Sequence, residues 1–207
     1  MTVRPLIITD CDEVLMHFAA PFASYLDSEH AMDLKFQSFS LAGSITKRAS
    51  GVSLEQHEVE PLIDGFFATH IHTQEPVDGA VQALARLAEI ADIVVLTNVR
   101  EIVRLSRTQE LIRHGMPYRV IPNQGPKGGP VAKLAAERGS APVVFIDDLP
   151  PHHSSVAKRA PQVHRLHLIA DPELRALLPQ APDSHARIDD WPTAEQWIMT
   201  RLGQAGA

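Results

Sequence analysis

The stretch Leu6-Ile7-Ile8-Thr9-Asp10-Cys11-Asp12-Glu13-Val14-Leu15 passes from an apolar run directly into two carboxylates. A short run that is apolar on both faces suits a strand buried in a parallel sheet between helices. Residues 93–97, 143–146 and 163–169 have the same character, and residues 118–121 read as a further short strand. Helical spacing separates these runs. Val81, Leu84, Leu87, Ala88 and Ala91 recur at that spacing after Asp78, residues 100–114 end at Gly115 and Pro117, and residues 131–138 end at Gly139. Asp171-Pro172 reads as an N-cap followed by proline in the first turn. Thr193-Ala194-Glu195-Gln196 has capping-box spacing ahead of a last helix carrying Trp197 and Ile198. The alternation predicts an α/β fold, a Rossmann-like parallel sheet with helices on both faces.

One region interrupts that alternation. Between Val14 and Pro76 no strand is read; residues 20–28 and 54–71 look helical, with Ser53 and Gln56 as a capping box on the second. A stretch containing Gly, Ser and Thr, residues 40–51, joins them. The expectation is a small helical unit, residues 16–76, inserted after the first strand of a core formed by residues 1–15 and 77–207. The tail from Gly203 is expected to fray.

Composition narrows the function classes. The 207 residues carry 19 basic and 25 acidic side chains, a net charge of -6, without a basic stripe. A nucleic-acid partner is therefore not expected. No segment approaches the ~18 apolar residues of a membrane span, and the first apolar run is cut by Asp10, so neither a membrane partner nor a signal peptide is expected. Cys11 is the one cysteine and allows no internal disulfide, in keeping with a cytoplasmic protein. The oligomeric state is left between monomer and homodimer.

Ligands of an open parallel sheet bind beyond the carboxyl ends of its strands. There the sequence places Asp10 and Asp12, Thr97 and Asn98, and Asp147 and Asp148, with Lys127 starting the helix before the last pair. Four carboxylates gathered at one edge resist ionisation together. A hard divalent cation such as Mg²⁺ offsets them, and with Lys127 it would let a phosphate ester approach. Each residue alone has a plainer reading: Asp-x-Asp as a turn, Thr97 as a strand residue, Lys127 as a solvated helix start. The pairs His70/His72, His152/His153 and His164/His167 invite a zinc reading, which the absence of thiolate partners disfavours. Cys11 reads as a small packed side chain, and Trp191 and Trp197 as packing for the last helix.

In order and spacing these clusters resemble the four motifs of the haloacid dehalogenase-like (HAD) hydrolase superfamily. The first is the opening stretch and the second Val94-Val95-Leu96-Thr97-Asn98. The third is Lys127, or less well Lys133, and the fourth Val144-Phe145-Ile146-Asp147-Asp148. The resemblance covers residues 5 to about 160 outside the insertion. It implies the phosphatase branch, with the insertion as a small helical cap of the C1 type. It implies Asp10 as nucleophile forming an aspartyl phosphate, Asp12 as general acid and base, and Thr97, the Asn98 backbone and Lys127 on the phosphoryl group. Mg²⁺ would be held by Asp10, the Asp12 carbonyl and Asp148, with Asp147 behind them. Two positions depart from the pattern: Glu13 stands where glycine is frequent, and His152 where Asp or Asn often supports the metal's waters.

By the same analogy Met16, His17 and Phe18 line the entrance. Glu13, His17, Ser44, Thr46, Lys47 and Arg48 are candidates for contact with a small phosphorylated substrate, although Lys47-Arg48 also reads as a solvated pair. Dehalogenase and phosphonatase relatives typically lack the second aspartate, so Asp12 argues against them. A phosphomutase or another phosphoryl transferase of the family is the alternative reaction. A non-catalytic phospho-ligand-binding or receiver-like signalling domain is the alternative from another class, and the order of the motifs disfavours the receiver.

Overall fold

The computed structural model describes residues 3–203. Six strands form one parallel sheet in the order β5-β4-β1-β6-β7-β8: β1 (Leu6–Thr9), β4 (Asp92–Thr97), β5 (Arg119–Pro122), β6 (Val143–Asp147), β7 (His164–His167) and β8 (Ala186–Arg187). β1 lies at the centre, with Leu6–Thr9 paired to Asp92–Val95 on one side and to Val143–Ile146 on the other. The pleat sends alternate side chains to opposite faces. Ile7 packs with Val95, Val144 and Ile146 beneath α3 (Ala80–Ile90) and α8 (Trp191–Gly203). Leu6 and Ile8 pack with Val94, Leu96 and Phe145 beneath α5 (Gly128–Ala136) and α6 (Pro150–Arg159). The continuous apolar runs thus follow from burial on both faces.

After β1 the chain visits β4 and β5 on one side, then β6, β7 and β8 on the other. The carboxyl ends of β1, β4 and β6 therefore flank the point where the winding reverses, where such sheets hold ligands. The insertion contains α1 (Ala19–His30), α2 (Gln56–Thr69) and a 3₁₀ turn at Ile71–Thr73. It also contains two strands where none was expected, β2 (Met32–Leu34) and β3 (Ile45–Lys47), paired antiparallel. Each has three residues, too few for an alternation to register. Phe22, Leu26, Leu62 and Phe66 give this unit its own apolar cluster, which Val99 and Val103 join from beyond β4. Two connections lead back to the sheet and run side by side: the His17 N–H donates to the Glu75 carbonyl (2.9 Å) and the Val77 N–H to the Leu15 carbonyl (2.8 Å).

Two helix starts differ from expectation. α2 begins after Glu55, whose N–H donates to the Glu58 carboxylate at 3.0 Å, so Ser53 and Gln56 do not form its cap. α8 begins at Trp191, with Asp190 Oδ1 accepting from the Thr193 N–H at 2.9 Å, so Thr193 lies inside the helix. Residues 100–114 open with a 3₁₀ turn, Glu101–Val103, before α4 (Arg104–Arg113). The Asp171 cap is present on α7 (Pro172–Leu177), accepting from the Leu174 N–H at 2.8 Å. Trp191 is fully buried and its indole N–H donates to the Val14 carbonyl at 2.8 Å, tying α8 to the loop after β1. Gly203 is helical, as the last described residue of α8, and the rest of the tail expected to fray lies outside the described residues.

Candidate active site

The strand ends converge as their order suggests. Asp10, Asp147 and Asp148 place carboxylate oxygens within 4.8 Å of one another, and all three are buried. This is the one group of His, Cys, Asp or Glu side chains among the described residues close enough to share a metal ion. The histidine pairs are not part of it. Lys127 is fully buried, with Nζ 2.8 Å from Asp10 Oδ2 and 2.7 Å from Asp147 Oδ2. Lys133 is exposed on the same helix. The cradle for Lys127 depends on a close approach of α5 to α6. A Cβ on Gly128 would lie 2.2 Å from the Ser155 carbonyl oxygen, and the Gly128 N–H donates to Ser155 Oγ at 3.0 Å.

One ammonium cannot satisfy three buried carboxylates. Burial pushes Asp10 up to about 7 against the pull of Lys127. Burial and the charges of Asp147 and Asp10 push Asp148 well above the carboxylate range. Asp147 goes the other way: burial would raise it, but Lys127, His152 and His153 outweigh burial and hold it low. Asp147 is also fully engaged, since Oδ1 accepts from the Leu149 N–H at 2.9 Å. Asp10 also has a partner on each oxygen, the Cys11 N–H at 2.7 Å and Lys127, yet it stays raised; Asp10 and Asp148, the two raised members of the cluster and both lining the cavity, are the oxygen donors in need of a cation. A hard divalent ion suits this donor set.

Buried histidines hold the acidic pair from behind. His167 Nδ1 accepts from the Ala181 N–H at 3.0 Å, which leaves Nε2–H to donate to the Asp148 carbonyl at 2.8 Å. His153 Nε2 donates to the Asp147 carbonyl at 3.0 Å. Burial lowers His152, and its Nε2 lies 3.3 Å from Asn98 Nδ2. The Asn98 side chain also bonds to Gly125 and Asn123.

Asp12 lies apart from the carboxylate cluster in a setting of its own. Its Oδ1 accepts from Arg107 at 2.7 Å and from Gln74 at 2.8 Å, and its Oδ2 accepts from Arg107 at 3.0 Å. Arg107 is fully buried, stacks over Phe67 at 5.1 Å, and donates to Gln74 Oε1 at 2.8 Å. Gln74 also donates to the His17 carbonyl at 2.9 Å. Sequence reasoning missed both residues. The available signal was spacing: Val103, Arg107 and Leu111 are four apart and all buried, so Arg107 lies on the apolar stripe of α4.

Glu13 takes the left-handed conformation its position favours, at φ 56°. Its Oε1 accepts from the N–H groups of Phe18 (2.7 Å) and Ala19 (2.6 Å), capping α1 from a distance. Burial pushes Glu13 up to about 7, and its Oε2 is buried without a partner.

Several expected contacts are absent from the site. Met16 is fully buried in the core, and His17 contributes its carbonyl to Gln74 rather than a side chain to the cavity. Lys47 pairs with Glu58, and Arg48 with Asp27 and Asp33. Ser44 and Thr46 bond within the insertion. The cavity, of about 200 Å³, has a polar floor of Asp10, Asp12, Glu13, Thr97, Asn98 and Asp148. Thr97 Oγ1 is buried there without a partner. Phe18, Phe36, Phe39, Ile63, Phe67 and neighbouring leucines form its walls.

No family model matches the sequence, and no curated protein does. Solved structures match the fold. A putative HAD-hydrolase from Bacillus subtilis, bound to magnesium, aligns with TM-score 0.64 at 13% identity, over 96% of this chain and 99% of that one. A putative haloacid dehalogenase-like hydrolase from Burkholderia xenovorans aligns with TM-score 0.60 at 14% identity, over 97% and 99%. A putative beta-phosphoglucomutase from Thermotoga maritima aligns with TM-score 0.57 at 13% identity, over 96% and 99%. The chain therefore has the fold of haloacid dehalogenase-like hydrolases.

Proposed function

We propose that the protein is a Mg²⁺-dependent phosphohydrolase of the HAD type, releasing phosphate from a small phosphomonoester. The observation that carries the reading is the fully buried Lys127, set between Asp10 and Asp147 beside Asp148 at the floor of a cavity. A carboxylate nucleophile, a buried cation and further carboxylates able to hold a metal ion are what transfer of a phosphoryl group needs. Residues 16–76 act as a cap over this floor.

Asp10 attacks phosphorus in line. Its Oδ–P bond forms as the ester P–O bond breaks, and the departing oxygen takes a proton from Asp12. Asp12 Oδ2 makes a single contact, to Arg107, whereas Oδ1 makes two; Oδ2 is the oxygen left for proton transfer. Water then attacks phosphorus, Asp12 takes its proton, and the Asp10 carboxylate is regenerated with release of phosphate. Lys127 holds the Asp10 carboxylate, and the Thr97 hydroxyl has a free proton for a phosphoryl oxygen. Mg²⁺, held by Asp10, the Asp12 carbonyl and Asp148, would offset the charge shared by these carboxylates and the phosphoryl group.

The test is Mg²⁺-dependent phosphate release from a phosphomonoester panel. Asp10→Asn is expected to abolish it, and Asp12→Asn to slow turnover and accumulate a phosphoenzyme. Full activity in Asp10→Asn would remove Asp10 as nucleophile. Phosphate passed between positions of a sugar would favour a mutase, and halide released from a 2-haloacid a dehalogenase.

A further inference from the structure

The walls of the cavity carry information about the leaving group that the motifs do not. Above the polar floor the lining is Phe18, Phe36, Phe39, Leu41, Ile63 and Phe67, with Leu149, Leu174 and Leu178 opposite. Among the described residues no Lys, Arg, His, Ser or Gln lines it. The nearby cations are spent: Lys127 on Asp10 and Asp147, and Arg107 on Asp12. The floor adds two acidic side chains, Asp12 and Glu13.

From this, and resting on the phosphohydrolase reading, we infer that the substrate is a phosphomonoester of an uncharged, apolar alcohol or phenol about one ring in size. The cavity, at about 200 Å³, is smaller than the usual pocket for a drug-sized ligand. It has room for the phosphoryl group and little more than a ring. A sugar phosphate would bring a ring of hydroxyls, and those facing the phenylalanine and leucine walls would lose water without finding a partner there. A nucleoside diphosphate would bring a second anionic group with no cation to receive it. An aromatic or aliphatic ring loses nothing on entering and meets four phenylalanine rings.

Leaving-group reactivity must be held constant to test this. Cyclohexylmethyl phosphate and glucose 6-phosphate both release a primary alkoxide from a six-membered ring and differ chiefly in hydroxyls. With Mg²⁺ and the full chain, kcat/KM is expected to favour cyclohexylmethyl phosphate by at least about a hundredfold, mainly through KM. Phe39 is 44% exposed at the mouth, so Phe39→Ser is tolerated by the fold. That variant should raise KM for the cyclohexylmethyl ester several-fold and narrow its advantage over glucose 6-phosphate, and an unchanged ratio of kcat/KM for the two esters would count against the apolar wall as the specificity surface. Equal use of the two esters, or preference for the sugar, overturns the apolar assignment while phosphate release still supports the hydrolase. Failure to hydrolyse any ester, aryl phosphates included, overturns the hydrolase reading and this inference with it.

Discussion

Asp12 is the residue on which ester hydrolysis would turn, and its carboxylate meets the cavity already held by two donors that come from far along the chain. Arg107 reaches it from α4, and Gln74 from the connection that leads back out of the insertion. Removing one partner of a buried ion pair leaves the other uncompensated. Arg107→Met is therefore expected to lower stability by about 3 kcal/mol, read by urea unfolding, and to lower kcat more than it raises KM. Unchanged kcat in a folded Arg107→Met protein would show that Asp12 needs no such orientation. Glu13 makes a separate prediction. Glu13→Ala keeps the left-handed backbone and loses the acceptor for Phe18 and Ala19, costing about 1–2 kcal/mol. Glu13→Gly also loses the acceptor but relieves the backbone, and should recover roughly 1 kcal/mol of that. Equal stability in all three proteins would mean the carboxylate caps nothing. The strand-end residues Asp10, Thr97, Asp147 and Asp148 were legible because a parallel sheet gathers the ends of its central strands, and Lys127 because it starts the helix that leads into β6. Arg107 and Gln74 were not, because their partner Asp12 is 95 and 62 positions away, and the helical spacing that puts Arg107 on an apolar stripe does not say what it meets.

At the scale of elements, the position of Lys127 is set by how closely α5 meets α6. The Gly128 backbone lies against that of Ser155, and a methyl group there would overlap the Ser155 carbonyl. Overlap with backbone is relieved only by moving a helix. Gly128→Ala should cost about 1–3 kcal/mol and shift Lys127 off Asp10, so kcat should fall even where the variant remains folded. Thermal unfolding and steady-state kinetics on one preparation test both, and a variant with unaltered kcat would mean that α5 can move without carrying the lysine. The same scale explains what was readable in the sequence. β1, β4 and β6 are apolar on both faces and stand out. β8 has two half-buried residues, Ala186 and Arg187, and leaves no trace in the pattern. β2 and β3 are short and partly exposed. α8 starts ahead of the capping box read at Thr193, because Asp190 accepts the Thr193 N–H and Pro192 sits in the first turn.

For the whole molecule, the buried charges link stability to pH and to metal. Asp10 rises from 3.8 to about 7, Glu13 from 4.5 to about 7, and Asp148 rises as well. Carboxylates whose pKa is higher in the fold hold protons that the unfolded chain has released, so their contribution falls as pH climbs through about 7. His153, lowered from 6.5 to about 4, and His152 and His167, also lowered, act oppositely: their contribution is complete only well above 6.5 and is lost as pH falls. Asp147 is lowered, so its contribution is already in place above the ordinary carboxylate range. Between pH 6.5 and 8 Asp147 is constant, the lowered histidines, His164 and His185 among them, complete their gain, and the raised carboxylates lose their contribution. The histidine gain is common to the parent and to Asp148→Asn, which has one raised carboxylate fewer, so without metal the parent's melting temperature at pH 8 relative to pH 6.5 should be the less favourable of the two. Mg²⁺ binds only the ionised carboxylates, so its stabilising effect should grow across the same interval. At a hundred times its dissociation constant a ligand adds about 2.7 kcal/mol, which for a chain of this size is roughly 5–10 °C. Asp148→Asn removes one of the two cavity-lining donors together with part of the repulsion. It should melt at a higher temperature than the parent without Mg²⁺ at pH 8 and gain little when the ion is added. Calorimetric melting of both proteins at the two pH values, with and without Mg²⁺, reads all of these. A Mg²⁺ increment that is the same in Asp148→Asn as in the parent would place the ion elsewhere.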